Sequence, residues 1–122
     1  MTRPTVLVVE DEPAILAMTR LILEREGYEV LTAEDGPSGL ALFQSNVVDA
    51  VVLDVNIPGL NGWDVLAELR RLRPGARVIL STGSGIDDVL ETEPAELPTA
   101  VLPKPFLPAD LVEVVARVLA AA

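Results

Sequence analysis

Thr5-Val6-Leu7-Val8-Val9-Glu10-Asp11-Glu12-Pro13 is the stretch that decides the fold. An apolar, β-favouring run without polar alternation reads as a strand covered on both faces. Acids follow at once, and then a proline suited to the first turn of a helix. The segment is therefore a strand that ends in charge and turns directly into a helix. Ile15, Met18 and Ile22 recur at helical spacing behind it, and Gly27 closes that helix.

The same strand-then-helix pattern repeats outward from there. Glu29–Ala33 reads as a second strand, and Pro37 to about Ser45 as a short helix carrying Leu40 and Phe43. Val47–Leu53 contains a third strand, nearly all apolar, as a central strand should be. Asn56-Ile57-Pro58-Gly59-Leu60-Asn61-Gly62 is a turn-rich loop. Trp63–Leu72 follows as a helix with Val65, Leu69 and Leu72 on one face, stopped by Arg73-Pro74-Gly75. Arg77–Ser81 is the fourth strand and Ala100–Leu102 the fifth. Between them, Ile86–Glu93 has room for about two helical turns. Pro94 and Pro98 bracket what comes next, so a short or irregular helix is expected there. Pro108-Ala109-Asp110 opens the last helix, whose Leu111, Val114, Val115 and Val118 form an i, i+3, i+4, i+7 stripe.

Alternating strands and helices in this length imply an α/β three-layer sandwich around a five-stranded parallel sheet. A doubly wound order 2-1-3-4-5 is expected by analogy with flavodoxin-like folds. With 122 residues, the chain is expected to form one domain, and half its residues are apolar, enough for a proper core. Only four are aromatic, so Val, Leu, Ile and Ala must build that core. Apolar runs are short and broken by charge, and none approaches the roughly 18 residues that span a bilayer. The N-terminus lacks a signal-peptide pattern, so a cytoplasmic location with no membrane partner is expected.

Cysteine and histidine are both absent, which removes disulfides, thiolate chemistry, Ser-His-Asp triads and the usual zinc or iron sites. Any metal must be held by oxygen, as magnesium, manganese or calcium are. A net charge of −10 argues against direct nucleic-acid binding and for protein partners.

Glu10, Asp11, Asp54, Thr82 and Lys104 each stand at or just past the end of an apolar run. In a parallel α/β sheet all strand C-termini open on one edge, where ligands bind. Residues distant in sequence should therefore share one cleft. Three carboxylates there repel one another unless something positive lies among them, and a hard divalent cation answers that need. Magnesium takes oxygen ligands, and the Asn56 backbone carbonyl can add another. Asp54 has the position of a nucleophile able to carry a phosphoryl group as an acyl phosphate. Lys104 can offset charge on a phosphoryl oxygen, and the prolines on either side of it, Pro103 and Pro105, aim it. A cis Lys104–Pro105 bond fits this setting. The Thr82 hydroxyl can donate to a phosphoryl oxygen, with Gly83 letting the backbone come close. Ser81 is its rival, but strand alternation sends the two side chains in opposite directions. The plainer reading is that Asp11 and Glu12 cap the first helix, Asp54 starts a turn, and Lys104 is a solvated surface lysine.

Val8-Val9-Glu10-Asp11-Glu12-Pro13, Val52-Leu53-Asp54-Val55-Asn56-Ile57-Pro58-Gly59-Leu60-Asn61-Gly62, Leu80-Ser81-Thr82-Gly83 and Leu102-Pro103-Lys104-Pro105-Phe106 together resemble the receiver domain of two-component response regulators. The likeness spans residues 1–122 as a single receiver domain. It implies a regulatory phosphoacceptor rather than an enzyme. Asp54 would take a phosphoryl group from a histidine kinase or a histidine phosphotransfer protein. Mg2+ would lie among Glu10, Asp11, Asp54 and the Asn56 carbonyl, with Asp11 the direct ligand and Glu10 acting through water. Lys104 and Thr82 would hold the phosphoryl oxygens, and the same cleft would slowly hydrolyse the acyl phosphate. A downstream protein effector would read the change, and the domain would be a monomer or a weak homodimer.

Two positions depart from the family pattern. An aromatic residue often stands three places before the lysine, and here that place holds Val101. Glu91–Pro98 carries prolines where a regular helix would normally lie. Both imply that output uses a loop order–disorder change or another face. Two other function classes compete. An aspartate-nucleophile phosphatase like the haloacid dehalogenases would need a second acid where Asn56 stands. A pseudo-receiver that binds without being phosphorylated would not need the intact acid set. A dinucleotide-binding domain fits poorly, because the first turn reads Glu-Asp-Glu-Pro rather than Gly-x-Gly-x-x-Gly.

Overall fold

The computed structural model describes residues 3–83 and 97–120. The chain runs β1 (Thr5–Val9), α1 (Pro13–Arg25), β2 (Glu29–Ala33), α2 (Gly36–Ser45), β3 (Ala50–Asp54), α3 (Gly62–Leu72), β4 (Val78–Thr82), β5 (Ala100–Pro103) and α4 (Pro108–Ala120). The strands pair in parallel in the order β2-β1-β3-β4-β5, as expected. The helix expected within Ile86–Glu93, and most of the Glu91–Pro98 segment, lie outside the described residues.

Alternation along each strand sorts the core into two layers. Leu7, Val9, Val51, Leu53, Val78 and Leu80 face Phe43 of α2 and Val65, Leu66 and Leu69 of α3. Val6, Val8, Ala50, Val52 and Ile79 face Leu23 of α1 and Leu111, Val114, Val115 and Val118 of α4. β3 and β4 are buried throughout, because each has a strand on both sides and helices above and below. Leu72, expected on the inner face of α3, is only partly buried, and Leu66 takes a place beside Val65 and Leu69.

Three local expectations are adjusted. β3 starts at Ala50 within the Val47–Leu53 stretch and runs one residue past it, to Asp54, while Val47 is largely exposed. There Thr5 N donates to Asp49 Oδ2, so Asp49 ties the strand's entry to β1 instead. β4 is shifted by one residue, to Val78–Thr82. The inner face of α1 is not Ile15-Met18-Ile22. Thr19 and Leu23 are buried, Leu16 and Ile22 pack beside them, and Met18 points outward. Ile15 and Met18 instead line an apolar groove of about 260 Å³ with Lys104, Pro105 and Phe106.

The helix ends follow their sequence signals. Just past the end of α1, Gly27 has a φ of 91° that suits glycine, and Tyr28 N returns to the Leu23 carbonyl. Asp35 caps α2 by accepting from Ser38 N, and Asn61 caps α3 by accepting from Asp64 N. Gly62 is required by closeness. A Cβ there would stand 2.5 Å from Val55 Cα, and Gly62 N donates to the Val55 carbonyl at 2.7 Å. That contact presses the start of α3 against the loop leaving Asp54.

Candidate functional site

The C-terminal ends of β1, β3 and β4 lie side by side because the sheet is parallel and the strands are in register. Val9 pairs with Leu53, and Asp54 with Ser81. Glu10 therefore leaves β1 next to the last residue of β3. Glu10 and Asp54 are both buried, whereas Asp11 is exposed at the rim. One carboxylate oxygen from each of Glu10, Asp11 and Asp54 lies within 4.8 Å of the others.

The capping alternative for these acids is not what the fold adopts. Glu12 occupies the N-cap position of α1, but its side chain makes no capping hydrogen bond. Its backbone N–H donates instead to Glu10 Oε1 at 3.2 Å. Likewise Asn56 N donates to Asp54 Oδ1 at 3.2 Å. Each buried carboxylate is thus steadied on one oxygen by the backbone two residues ahead.

Lys104 arrives from the end of β5. Its backbone N–H donates to the Thr82 carbonyl at 2.8 Å, and the Lys104–Pro105 peptide is cis, as expected. Lys104 Nζ donates to Glu10 Oε2 at 2.9 Å and to Asp54 Oδ2 at 3.1 Å. It is not a solvated surface lysine. Its side chain is 20% exposed, against 5% for Glu10 and 7% for Asp54. Burial alone would lower its pKa. The hydrogen bonds to Glu10 and Asp54, and the attraction of both charges, outweigh that and hold it above the ordinary lysine value. Burial pushes the Glu10 carboxyl upward; the Lys104 hydrogen bond opposes the shift and the Asp54 charge adds to it.

Thr82 ends β4 and is buried, and Val101 sits on β5 in register with Leu80. Asn56 is exposed at the mouth of the cleft. Ser81, set aside as the rival of Thr82, is the register partner of Asp54. That relation could not be read without the sheet alignment. Its hydroxyl is buried and has no hydrogen-bond partner among the described residues.

The donor set is all oxygen, clustered and acidic, with one member open to solvent, so it fits a hard divalent cation rather than a softer one. The family model of the response regulator receiver domain matches residues 6–116. The chain belongs to this family.

Receiver domains are regulatory phosphoacceptors of two-component signalling, and that is the function class of this one. This receiver is similar to the transcriptional regulatory protein PrrA of Mycobacterium tuberculosis, with 40% identity over 113 residues, 92% of this chain and 48% of that protein. It is also similar to the transcriptional regulatory protein TcrA of the same organism, with 44% identity over 80 residues, 66% of this chain and 32% of that protein. The receiver thus spans about a third to a half of the length of these relatives. Among solved structures, the chemotaxis response regulator CheY4 of Vibrio cholerae superposes with a TM-score of 0.89 at 32% identity, over 96% of this chain and 99% of that one. The response regulator TrrA of Thermotoga maritima, solved in complex with Mg2+ and BeF, gives a TM-score of 0.82 at 33% identity, over 94% of this chain and 98% of that one. Among the described residues, no helix is long and apolar enough to cross a membrane.

Proposed function

We propose that Asp54 is the phosphoryl acceptor of this receiver, with Lys104 as its electrostatic partner and Glu10, Asp11, Asp54 and the Asn56 carbonyl as the seat for Mg2+. The observation that carries this reading is the Lys104 ammonium shared between the buried carboxylates of Glu10 and Asp54, with Asp11 open beside them.

The chemistry follows from those positions. An Asp54 oxygen attacks the phosphorus of a phosphorylated imidazole on a histidine kinase or histidine phosphotransfer protein. The P–N bond breaks, its electron pair returns to the imidazole, and an acyl phosphate remains on Asp54. Asn56 N–H holds the other carboxylate oxygen and so orients the attack. Lys104 and the Thr82 hydroxyl stabilise the incoming phosphoryl oxygens. The carboxylates of Glu10, Asp11 and Asp54 with the Asn56 carbonyl would hold magnesium, which would supply positive charge to offset the negative charge of the phosphoryl group. Lys104 then exchanges a carboxylate oxygen for a phosphoryl oxygen, which couples the chemical event to the β5 end and α4. Slow attack by water on phosphorus resets the domain.

Because the matched relatives are longer and are named as transcriptional regulators, we assign output to a protein effector, in the same polypeptide or a separate one, with the receiver itself making no nucleic-acid contact. A cytoplasmic setting suits such a partner. With Val101 in the place of an aromatic residue, no large ring can rotate there to relay the change. Turnover as a phosphatase is disfavoured by the exposed Asn56 standing where a second acid would be needed.

The test is transfer from a phosphorylated histidine phosphotransfer protein in the presence of magnesium. Stoichiometric labelling that moves from donor to this chain is expected. Continuous release of phosphate from simple phosphate esters, without a labelled intermediate, would overturn the reading.

A further inference from the structure

Ser81 carries an unexplained feature beside the cleft. It is 2% exposed, and its Oγ has no hydrogen-bond partner among the described residues. A buried hydroxyl left unpaired works against folding, and an alanine or valine in the strand would avoid that cost. The position is not an arbitrary one in the core. Ser81 is in register with Asp54 on one side and with Leu102 on the other. Val55 N donates to the Ser81 carbonyl at 3.0 Å, locking β3 and β4 together at this point. Paired residues on neighbouring strands are about 4.8 Å apart and project to the same face of the sheet. The hydroxyl is thus the nearest registered neighbour of the Asp54 carboxylate on β4. In the present state both Asp54 oxygens are already engaged, Oδ1 by Asn56 N and Oδ2 by Lys104 Nζ.

We infer that Ser81 is a positioning residue whose hydroxyl donates to the Asp54 carboxyl oxygen on the Lys104 side once that lysine turns to the phosphoryl group. This rests on Asp54 being the acceptor. The unpaired hydroxyl is then a donor held ready for the loaded state. Its effect falls on hydrolysis. Water attacks phosphorus and the bond from phosphorus to the Asp54 oxygen breaks. The electron pair of that bond returns to Asp54 as carboxylate, and the proton of the attacking water leaves with the phosphate or to solvent. Charge grows on the Asp54 oxygens as the bond breaks, so a donor there favours the step. Ser81 therefore shortens the life of the acyl phosphate.

The experiment uses the whole chain. Wild type, Ser81→Ala and Ser81→Thr are labelled with acetyl phosphate and magnesium, desalted, and the loss of acyl phosphate is followed by intact mass. In parallel, urea unfolding is measured on unlabelled protein in EDTA. For Ser81→Ala we expect normal labelling, decay about tenfold slower, and an unfolding midpoint equal to or above that of wild type, since an unpaired hydroxyl has been removed. Ser81→Thr, which keeps the hydroxyl, should return the decay rate toward wild type. Unchanged decay in a normally labelled Ser81→Ala overturns the inference and leaves the acceptor assignment standing. A Ser81→Ala protein that is destabilised, with slow decay that Thr does not correct, marks a packing role and also overturns it. Failure of wild type to label overturns both.

Discussion

Replacing Lys104 with Met keeps the aliphatic stem and removes only the ammonium. In the free domain that ammonium is 2.9 Å from Glu10 Oε2 and 3.1 Å from Asp54 Oδ2. Without it two nearly buried carboxylates face each other, with Asp11 close by. Breaking a fully buried ion pair by deleting one partner costs about 3–5 kcal/mol. Lys104 is one-fifth exposed at an open cleft, so the expected loss at pH 7 in EDTA is smaller, about 2–3 kcal/mol. That is a large share of a small domain's stability, and urea unfolding followed by circular dichroism reads it directly. Two conditions should shrink the loss. Magnesium replaces the missing positive charge, so the variant should gain more from saturating magnesium than wild type does, and the gap should fall by at least half. Acidification to about pH 4.5 should also narrow it, because Glu10, already raised by burial and the Asp54 charge, rises further without Lys104 and accepts a proton. A loss of the same size in EDTA and magnesium, and at both pH values, would refute the electrostatic coupling of these three residues.

Other outcomes follow from the same structure. Leu69, fully buried between α3 and the sheet, should cost about 2–5 kcal/mol when changed to Ala, measured by urea unfolding. Gly62→Ala should weaken magnesium binding as well as stability, because its Cβ would meet Val55 Cα at 2.5 Å and displace the loop leaving Asp54; calorimetric titration with magnesium reads the first effect. The pH dependence of wild-type stability should have opposite origins at its two ends. Lys104 is raised in the fold, so its contribution is complete below the unfolded value near 10.5 and is lost as pH rises through the folded value. Glu10 is also raised, but as an acid: its charged form costs stability at neutral pH. That cost is relieved as pH falls through the folded pKa toward 4.5, so Glu10→Gln should flatten the profile there.

Sequence reading reached the architecture because three of the strands are largely apolar runs that end in polar residues, Glu10 after β1, Asp54 in β3 and Ser81-Thr82 in β4, a pattern suited to a covered parallel sheet. It also reached the meeting of Glu10, Asp54 and Lys104, since strand ends share an edge whatever the helices do. The inner face of α1 was not legible. Ile15, Leu16, Met18, Leu21, Ile22 and Leu23 supply two overlapping stripes, and the true one passes through Thr19, a polar residue that a hydropathy pattern discounts. Nor was the role of Lys104 as the counter-ion of the free cleft evident, because proximity of its ammonium to two buried carboxylates depends on the β4–β5 register. Alternation along one strand tells only that Ser81 and Thr82 project to opposite faces; the register between strands shows that Ser81 is the one paired with Asp54.

The most direct test of the proposed chemistry is intact-mass analysis after acetyl phosphate treatment, with and without magnesium, of wild type and Asp54→Asn. One phosphoryl group should add to wild type only when magnesium is present, and none to the variant. Equal gain in both proteins would contradict Asp54 as the acceptor and, with it, the purpose given to the acidic cleft around Lys104.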